Sequence, residues 1–412
     1  ARRNRGLLTA DANGKVFLHH ITSERTLLDF DAGTGPVGLL AFAPRSDGAV
    51  AVDGRGTFSQ WAIDKPHPET TLRTLFGKVW YEGAARPEHV WQSTGSGDDF
   101  EPKLSLTPLV FGTFKGTFYA LLFAVPMAVL SALCVSQFVH PSVRAVVKPA
   151  LEIMAALPSV VLGFLAGLWF APLLESRVPA MFLIPPVLVV VTLLAMAGWH
   201  LLPRSFRAIF REGTELLLLA PLYVAGISFC LWLSGPVEAG LLGGEFSYWL
   251  YRALGLTYDQ RNSIVVGFAM GFAVIPVIFS ISEDALSNVP RHLVSGSLAL
   301  GASRWQTALG VVLPTASAGI FSAVMIGLGR AVGETMIVLM ATGNTPIMDW
   351  NIFNGFRALS ANIAVEIPEA PHGGTLYRVL FLAALLLFAA TFAVNTAAEI
   401  VRQKLRKKYG QL

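Results

Sequence analysis

The chain has 412 residues, of which 53% are hydrophobic and 14% are charged, and it carries a formal net charge of +4. Soluble domains contain about 25% charged residues, so this composition excludes an ordinary water-soluble protein and predicts an integral membrane protein. The net positive charge does not indicate a nucleic-acid partner, because the basic residues are distributed by membrane side.

Residues 1–88 have alternating apolar residues, turn dipeptides and few long hydrophobic runs. Residues 8–16 align with residues 50–58, and each copy contains Asp-x-x-Gly, which is typical of a tight turn between two strands. A repeat of ~40–45 residues built from short strands is typical of a β-propeller blade. We therefore predict a β-rich, propeller-like region, with two chance hairpins as the alternative. Two repeats are too few to close a propeller, so we expect further blades upstream of the first residue.

Seven stretches without Asp, Glu, Lys or Arg reach or approach the ~20 residues that cross a bilayer. They are residues 116–143, 153–174, 178–203, 216–237, 262–282, 305–329 and 379–398. We therefore predict an all-α polytopic membrane protein with about seven spans that follows the β-rich region, with residues 89–108 as the linker between the two.

The basic residues of alternate loops fall mainly on one side of the membrane. One set of loops, with the C-terminal tail, contains Arg144, Lys148, Arg204, Arg207, Arg211, Arg291, Arg304, Arg402, Lys404, Arg406, Lys407 and Lys408, and the other set contains Arg177, Arg252, Arg261, Arg357 and Arg378. Cytoplasmic loops carry the excess of Lys and Arg. We therefore predict a cytoplasmic C-terminus and place residues 1–104 outside.

The most specific motif follows the fifth predicted span, at residues 283–314. Gly301, Val311, Leu313 and Pro314 keep the spacing of the cytoplasmic coupling loop of ABC-importer permeases, which this segment resembles. The family pattern begins with Glu-Ala-Ala, where this chain has Ser-Gly-Ser at 295–297. An ordinary amphipathic interfacial loop is the alternative. The residues that we expect to contact an ATPase subunit are Ser297, Leu298, Ala299, Gly301, Ala302 and Arg304.

An arginine and a glutamate interrupt the sixth apolar stretch. Arg330 lies near the middle of residues 316–342, and Glu334 follows four residues later, on the same face of a continuous helix. A charge inside the membrane costs at least ~2.5 kcal/mol and persists where it faces protein, water or a solute. The pair is either a structural salt bridge or a polar station on a solute path. Gly329 and Gly333 form a small-xxx-small pair suited to close helix packing.

The chain also resembles the PstC-type permease of bacterial phosphate importers, over about residues 105–175 and 260–400. The matching stretches are residues 111–117, 148–161, 327–336, 340–344 and 360–366. The resemblance implies an ABC importer type I permease fold in the bacterial inner membrane. It implies permease spans at 109–178 and a permease core at 261–412 that ends in a basic tail. The chain departs from the family pattern in its propeller-like region and in an insert with two additional spans at 179–260.

The resemblance also implies partners and a substrate. The expected partners are a PstA-type second permease subunit, a PstB-type ATPase dimer, a periplasmic phosphate-binding protein and membrane lipid. The chain lacks the Gly-x4-Gly-Lys-Ser/Thr loop of ATPases, so we expect no catalytic residue, cofactor or metal in it, with ATP and Mg bound by the partners.

For the substrate, the resemblance implies a phosphate path that includes Arg330, Glu334 and Thr335. Guanidinium matches the oxygens of phosphate bidentately, and the carboxylate can accept the proton that phosphate retains near neutral pH and sulfate lacks. The alternatives are a permease for another oxyanion, such as molybdate or phosphonate, and a propeller-bearing membrane sensor or scaffold.

Overall fold

The computed structural model describes residues 5–33, 35–44, 47–64, 67–95, 100–201, 203 and 219–409. The chain divides into two compact units. The first unit comprises Ala1–Phe111 and Ile363–Leu385, and the second unit comprises Gly112–Asn362 and Leu386–Leu412. The basic loop predicted around residues 204–211 lies outside the described residues.

The first unit begins with two three-stranded antiparallel sheets. The strands pair in chain order: β1 (Gly6–Ala10), β2 (Lys15–His20) and β3 (Arg25–Asp31) in one sheet, and β4 (Val37–Phe42), β5 (Gly48–Asp53) and β6 (Phe58–Ala62) in the other. Both central strands bury alternate side chains completely, Val16 and Leu18 in β2 and Ala49 and Ala51 in β5. This alternation is the pattern of a strand with one face against a core.

The predicted Asp-x-x-Gly turns adopt the same structure in both copies. The carboxylate of each aspartate accepts hydrogen bonds from the backbone N–H groups two and four residues later, at 3.0 and 2.8 Å for Asp11 and at 2.9 and 2.7 Å for Asp53. The hydrogen bond from the N–H of Thr57 is the main reason that the pKa of Asp53 is held below its ordinary value. Gly14 and Gly56 close the turns at φ +89° and +82°, a region that L side chains rarely adopt.

The β-rich character of the N-terminal region is confirmed, and closure into a propeller stays a prediction. The sequence repeat aligns β1–β2 with β5–β6, and these hairpins occupy opposite ends of their sheets. One hairpin supplies the first two strands of its sheet and the other supplies the last two, so the repeat unit is a hairpin and not a whole sheet.

The remainder of the first unit consists of short elements, and two side chains beside them bond to Glu366, which precedes the C-terminal helix. A short helix, α1 (Leu72–Phe76), is followed by β7 (Trp91–Gln92) and β8 (Lys103–Leu104), which pair within the segment predicted as a linker. The Trp91 indole and the Ser93 hydroxyl donate to Glu366 at 3.0 and 2.9 Å.

Helices dominate the rest of the chain. They are α2 (Thr107–Gln137), α3 (Pro141–Ala155), α4 (Ser159–Leu165), α5 (Ala171–Glu175), α6 (Val178–Leu201), α7 (Leu219–Leu241), α8 (Phe246–Leu254), α9 (Ser263–Ser287), α10 (Arg291–Ala299), α11 (Arg304–Thr307), α12 (Leu313–Gly333), α13 (Met336–Ala341), α14 (Leu359–Glu366) and α15 (Thr375–Tyr409). Two π-helical turns, Ala166–Phe170 and Ala308–Val312, join α4 to α5 and α11 to α12.

The number of spans agrees with the prediction, with one difference in shape. Within the described ranges, six helices are long and apolar enough to cross a membrane, and a bent pair raises the count to seven if it forms one span. That pair, Pro141–Ala155 with Ser159–Glu175, is bent by 86° where the sequence predicts the second span. The bend follows from Pro158, because a residue before proline is disfavoured in a helix.

The core of the second unit surrounds α9, which buries residues on nearly every side. Such an all-round apolar helix is typical of the centre of a membrane bundle. Two glycines bring the bent pair close to α13. A Cβ at Gly163 would lie 2.8 Å from the Met336 carbonyl oxygen, and one at Gly167 would lie 2.3 Å from that of Met340. Only glycine therefore permits this approach of the two backbones.

Candidate functional site

The continuous helix predicted through Arg330 and Glu334 is wrong. Helix α12 ends at Gly333, and Glu334 is extended, with φ −66° and ψ 125°, before α13 begins at Met336. The distant Ser360 stabilises this break, because its hydroxyl donates to the Glu334 carbonyl oxygen at 2.9 Å. Capture of that carbonyl by another segment replaces a hydrogen bond within a helix.

The break separates the two charges that the sequence analysis paired. The carboxylate of Glu334 accepts a hydrogen bond from the N–H of Ile337 in the first turn of α13, at 3.4 Å. The guanidinium of Arg330 forms no ion pair or hydrogen bond within the part of the chain that the structure describes, and the side chain is half-buried. It lies in the last turn of α12, where the helix dipole stabilises a cation. The structural salt bridge, one of the two alternatives left open for this pair, is therefore not formed among the described residues.

The arrangement leaves a cation and a carboxylate at a helix break without pairing them to each other. Thr335 lies between the two helices, and its hydroxyl donates to the Gly333 carbonyl at 3.2 Å. A phosphate or similar oxyanion needs positive charge and hydrogen-bonding groups that are not already used. Of the three residues predicted for the solute path, Arg330 retains its full donor set, Glu334 retains acceptor positions, and Thr335 retains its acceptor lone pairs.

The two glycines predicted for helix packing differ in their surroundings. A Cβ at Gly329 would lie 3.4 Å from the Asn395 side-chain oxygen on α15, whereas one at Gly333 would meet nothing within 4 Å. Gly329 also borders a groove of about 510 Å³ between α12 and α15. Gly329 thus lies against a helix of its own chain, and contact of Gly333 with a second subunit stays a prediction.

A buried lysine anchors the loop that follows α13, residues 342–358. The Lys115 side chain has no solvent exposure, and its ammonium donates to Asp349 at 2.9 Å. The Asn354 side chain donates to the other Asp349 oxygen at 2.6 Å and accepts from the Thr257 hydroxyl at 2.9 Å. The Ser263 hydroxyl donates to the Asn354 carbonyl at 2.6 Å. The loop is thereby joined to α2, to α9 and to the segment before α9.

The predicted coupling loop forms two short helices joined at a glycine turn. Helix α10 ends at Ala299, Gly301 has φ +89°, and Ser303 begins α11 with a capping box. The Ser297 and Thr307 hydroxyls lie 3.0 Å apart across the turn. No residue of α10 is buried, so Leu298 and Ala299 are accessible. The six residues predicted to contact an ATPase thus lie at one projecting turn.

The most exposed large apolar residue of this turn was not predicted from the sequence. Leu300 has 91% of its surface exposed, and Leu298 and Trp305 are also exposed. Trp305 packs on Phe138, with ring centroids 5.8 Å apart. Exposed large apolar side chains on a projecting turn are typical of a protein interface. The position of Leu300 directly before the turn glycine is the signal that could have identified it.

A charged cluster joins α3 to the end of α9, next to the coupling loop. Glu283 is 1% exposed, pairs with Arg144, and lies 3.3 Å from the Lys148 ammonium. Lys148 also contacts Asp284 at 2.8 Å, and the Ser287 hydroxyl donates to Glu283 at 2.8 Å. The sequence analysis assigned the two basic residues only to a membrane side. An acidic pair at the end of an otherwise uncharged span was the signal that they have partners.

The chain matches the family described as "Binding-protein-dependent transport system inner membrane component" over residues 194–407. The six to seven apolar spans agree with the predicted ABC importer type I permease fold. The fold class predicted from the sequence is therefore confirmed for the helical part of the chain.

Relatives that match more than two thirds of the chain are also named as transport permeases. The "Probable ABC transporter permease protein YqgH" of Bacillus subtilis is 25% identical over 295 residues, which cover 71% of this chain and 70% of the relative. The "Phosphate transport system permease protein PstC 1" of Mycobacterium bovis is 28% identical with the same coverage. The "Phosphate transport system permease protein PstC" of Pasteurella multocida is 26% identical over 309 residues, 74% of this chain and 77% of the relative.

We predict that Glu283→Gln lowers the stability of the protein, because it leaves two cations beside a neutral amide. The expected loss is roughly 2–3 kcal/mol, below the ~3–5 kcal/mol of a fully buried pair because Arg144 and Lys148 are 36% and 34% exposed. The measurement is thermal unfolding of the purified full chain in detergent. Asp284→Asn is the control, since Asp284 is 57% exposed and should cost under ~1 kcal/mol. Equal losses in both variants would contradict a special role for Glu283.

Proposed function

The chain belongs to the binding-protein-dependent transport system inner membrane components, and we propose that it is the permease subunit of an ATP-driven importer of inorganic phosphate. The observation that carries this proposal is the helix break, where Arg330 and Glu334 remain unpaired with each other. The phosphate-transport names of the relatives from Mycobacterium and Pasteurella support the same substrate.

The chemistry of the break suits hydrogen phosphate. The Arg330 guanidinium can donate two parallel hydrogen bonds to phosphate oxygens. Glu334 can accept a hydrogen bond from the proton that phosphate carries near neutral pH, whereas sulfate has no proton to donate and would meet a bare carboxylate. Thr335 adds a hydroxyl at the same break. We assign these three residues to the substrate path.

The proposal includes three kinds of partner. A second permease subunit completes the path, a pair of ATPase subunits binds the turn around Gly301, and a binding protein delivers phosphate from outside. Two observations support the ATPase contact: the exposure of Leu300 and the projection of α10 and α11. The C-terminus is cytoplasmic and residues 1–104 are periplasmic in this arrangement, which the distribution of Lys and Arg supports.

We predict that Arg330→Gln reduces phosphate uptake by roughly tenfold or more, because each charge-assisted hydrogen bond contributes ~1.5–3 kcal/mol. The measurement is uptake of labelled phosphate by the reconstituted complex, with the amount of assembled complex as the control for folding. Restored uptake in the double variant Arg330→Leu with Glu334→Leu would contradict the path, since a purely structural pair is often replaceable by apolar residues.

The same assay separates phosphate from other oxyanions. Unlabelled phosphate should compete with the label, whereas molybdate and sulfate in the same excess should not. Competition by molybdate equal to that by phosphate would favour a permease for a different oxyanion and would refute the substrate named here.

We predict that Gly301→Asp uncouples the ATPases from transport. The residue has φ +89° and stands in open space, so an aspartate places a negative charge at the proposed contact. The measurement is the stimulation of ATP hydrolysis by phosphate-loaded binding protein. Gly301→Asn is the matched variant, because asparagine has the shape of aspartate and the same tolerance of this backbone region but is neutral. It should retain most of the stimulation, and full stimulation in Gly301→Asp would contradict the assignment.

We predict that a cysteine at position 55, in the turn of the second repeat, is accessible from outside the cell membrane. Arg55→Cys should react with a membrane-impermeant thiol reagent in intact spheroplasts. The two native cysteines, Cys134 and Cys230, lie in α2 and α7, and the unmodified chain therefore serves as the background control. Labelling only after lysis would mean that the orientation is wrong.

A further inference from the structure

The helices of the insert and of the core enclose a long apolar groove within the second unit. The first hollow of this groove has a volume of about 690 Å³, and its walls are formed by α2, α5, α6, α7 and α9. The side chains that line it include Leu122, Phe123, Leu173, Met181, Ile227 and Phe268. None of the residues lining it belongs to α12 or α13, so the groove is separate from the proposed substrate path.

A second hollow of about 470 Å³ extends this groove along the bent pair. The two hollows share Phe170 and Phe268, whose rings stack with centroids 4.7 Å apart. Leu162 lines the second hollow and Arg177 lines the first. At ~1.5 Å per helical residue, the distance along the chain from Leu162 to Arg177 is roughly 20 Å. It exceeds the ~15 Å of hydrocarbon in one leaflet, half of the ~30 Å bilayer core.

One cation lies at the mouth of the groove. Arg177 is exposed, and its guanidinium donates a long hydrogen bond of 3.4 Å to the Leu231 carbonyl oxygen. The same guanidinium nitrogen lies in van der Waals range of Gly235, 3.4 Å from the position that a Cβ would take there. The nearest acid in sequence, Glu175, instead accepts a hydrogen bond from Gln260 at 2.6 Å. Across the described ranges, Arg177 forms no ion pair with a carboxylate.

We propose that this groove binds an anionic phospholipid, with an acyl chain along the apolar walls and the headgroup phosphate on Arg177. The walls cannot solvate a polar ligand, and an acyl chain that enters the groove from the membrane is held by van der Waals packing against them. The guanidinium at the mouth supplies the fork of donors that a phosphodiester accepts. A lipid bound here contacts α6 and α7 of the insert and α2, α5 and α9 of the core.

The charge at the mouth favours a lipid over the helix of a partner subunit. A transmembrane helix seated here would need an acidic residue at the level of Arg177, whereas a phospholipid presents its phosphate at the end of its acyl chains by its own structure. The shape of the groove also suits a flexible chain, because two hollows follow one another and share the stacked rings of Phe170 and Phe268 as a common wall.

The test is retention of lipid by the full chain after purification. The chain is exchanged into mild detergent containing phosphatidylglycerol and phosphatidylethanolamine, and bound lipid is identified by native mass spectrometry. We expect one phosphatidylglycerol per chain and a loss of roughly tenfold or more in Arg177→Gln. Arg252→Gln is the matched control, since Arg252 is an exposed arginine in the last turn of α8 that does not line the groove, and it should retain the lipid.

A second variant tests the groove itself. Leu173 lines the first hollow and is partly exposed, so Leu173→Trp should fill this hollow without disturbing the core. We expect the variant to release the lipid and to unfold at nearly the same temperature as the parent chain. Inorganic phosphate added at high concentration should not displace the lipid, because it contacts Arg177 alone and cannot make the packing contacts of the acyl chain.

Three outcomes would overturn the proposal. They are equal retention of phosphatidylethanolamine, equal loss of lipid in both arginine variants, and displacement by inorganic phosphate alone. Absence of the lipid when a second permease subunit is bound would instead assign the groove to that subunit and would equally refute a lipid site.

Discussion

A lysine with no access to water needs a permanent partner, and in the second unit this requirement fixes the loop after α13. Lys115 pairs with Asp349, and Asn354 extends the contact to α9 and to the segment that leads into it. An unpaired ammonium in an apolar interior would cost several kcal/mol. The loop that carries Asp349 therefore cannot leave its place while the core stays folded, and the helices on either side of it are held at fixed positions.

The same requirement distinguishes structural charges from charges with another purpose. Glu283 is buried and is surrounded by Arg144, Lys148 and Ser287, so its charge is neutralised and its oxygens are hydrogen-bonded within the chain. Arg330 is half-buried, yet no carboxylate in the described chain neutralises it. In a protein with so few charges, the unpaired cation at a helix break is the better candidate for contact with a solute. Pairing, and not position in the membrane alone, separates the two cases.

The sequence predicted the features that depend on local pattern. Apolar runs gave the spans, and the spacing around Gly301 gave the coupling turn, because both follow from residues close together in the chain. The helix break at Glu334 escaped prediction because it depends on Ser360, which is brought near only by folding. The basic partners of Glu283 lie more than a hundred residues away, so the acidic residues at the end of α9 do not by themselves identify which charges they meet. The bend at Pro158 was also not predicted, because membrane spans tolerate an internal proline.

The two glycines of the bent pair have a mechanical consequence. Gly163 and Gly167 lie against the backbone of α13 with no side chain between them, so any side chain larger than hydrogen at either position would push the two helices apart. The distance between the bent pair and α13 therefore depends on these two glycines. Since α13 begins two residues after Glu334, a larger residue at position 163 would displace the start of the helix that follows the break beside Arg330.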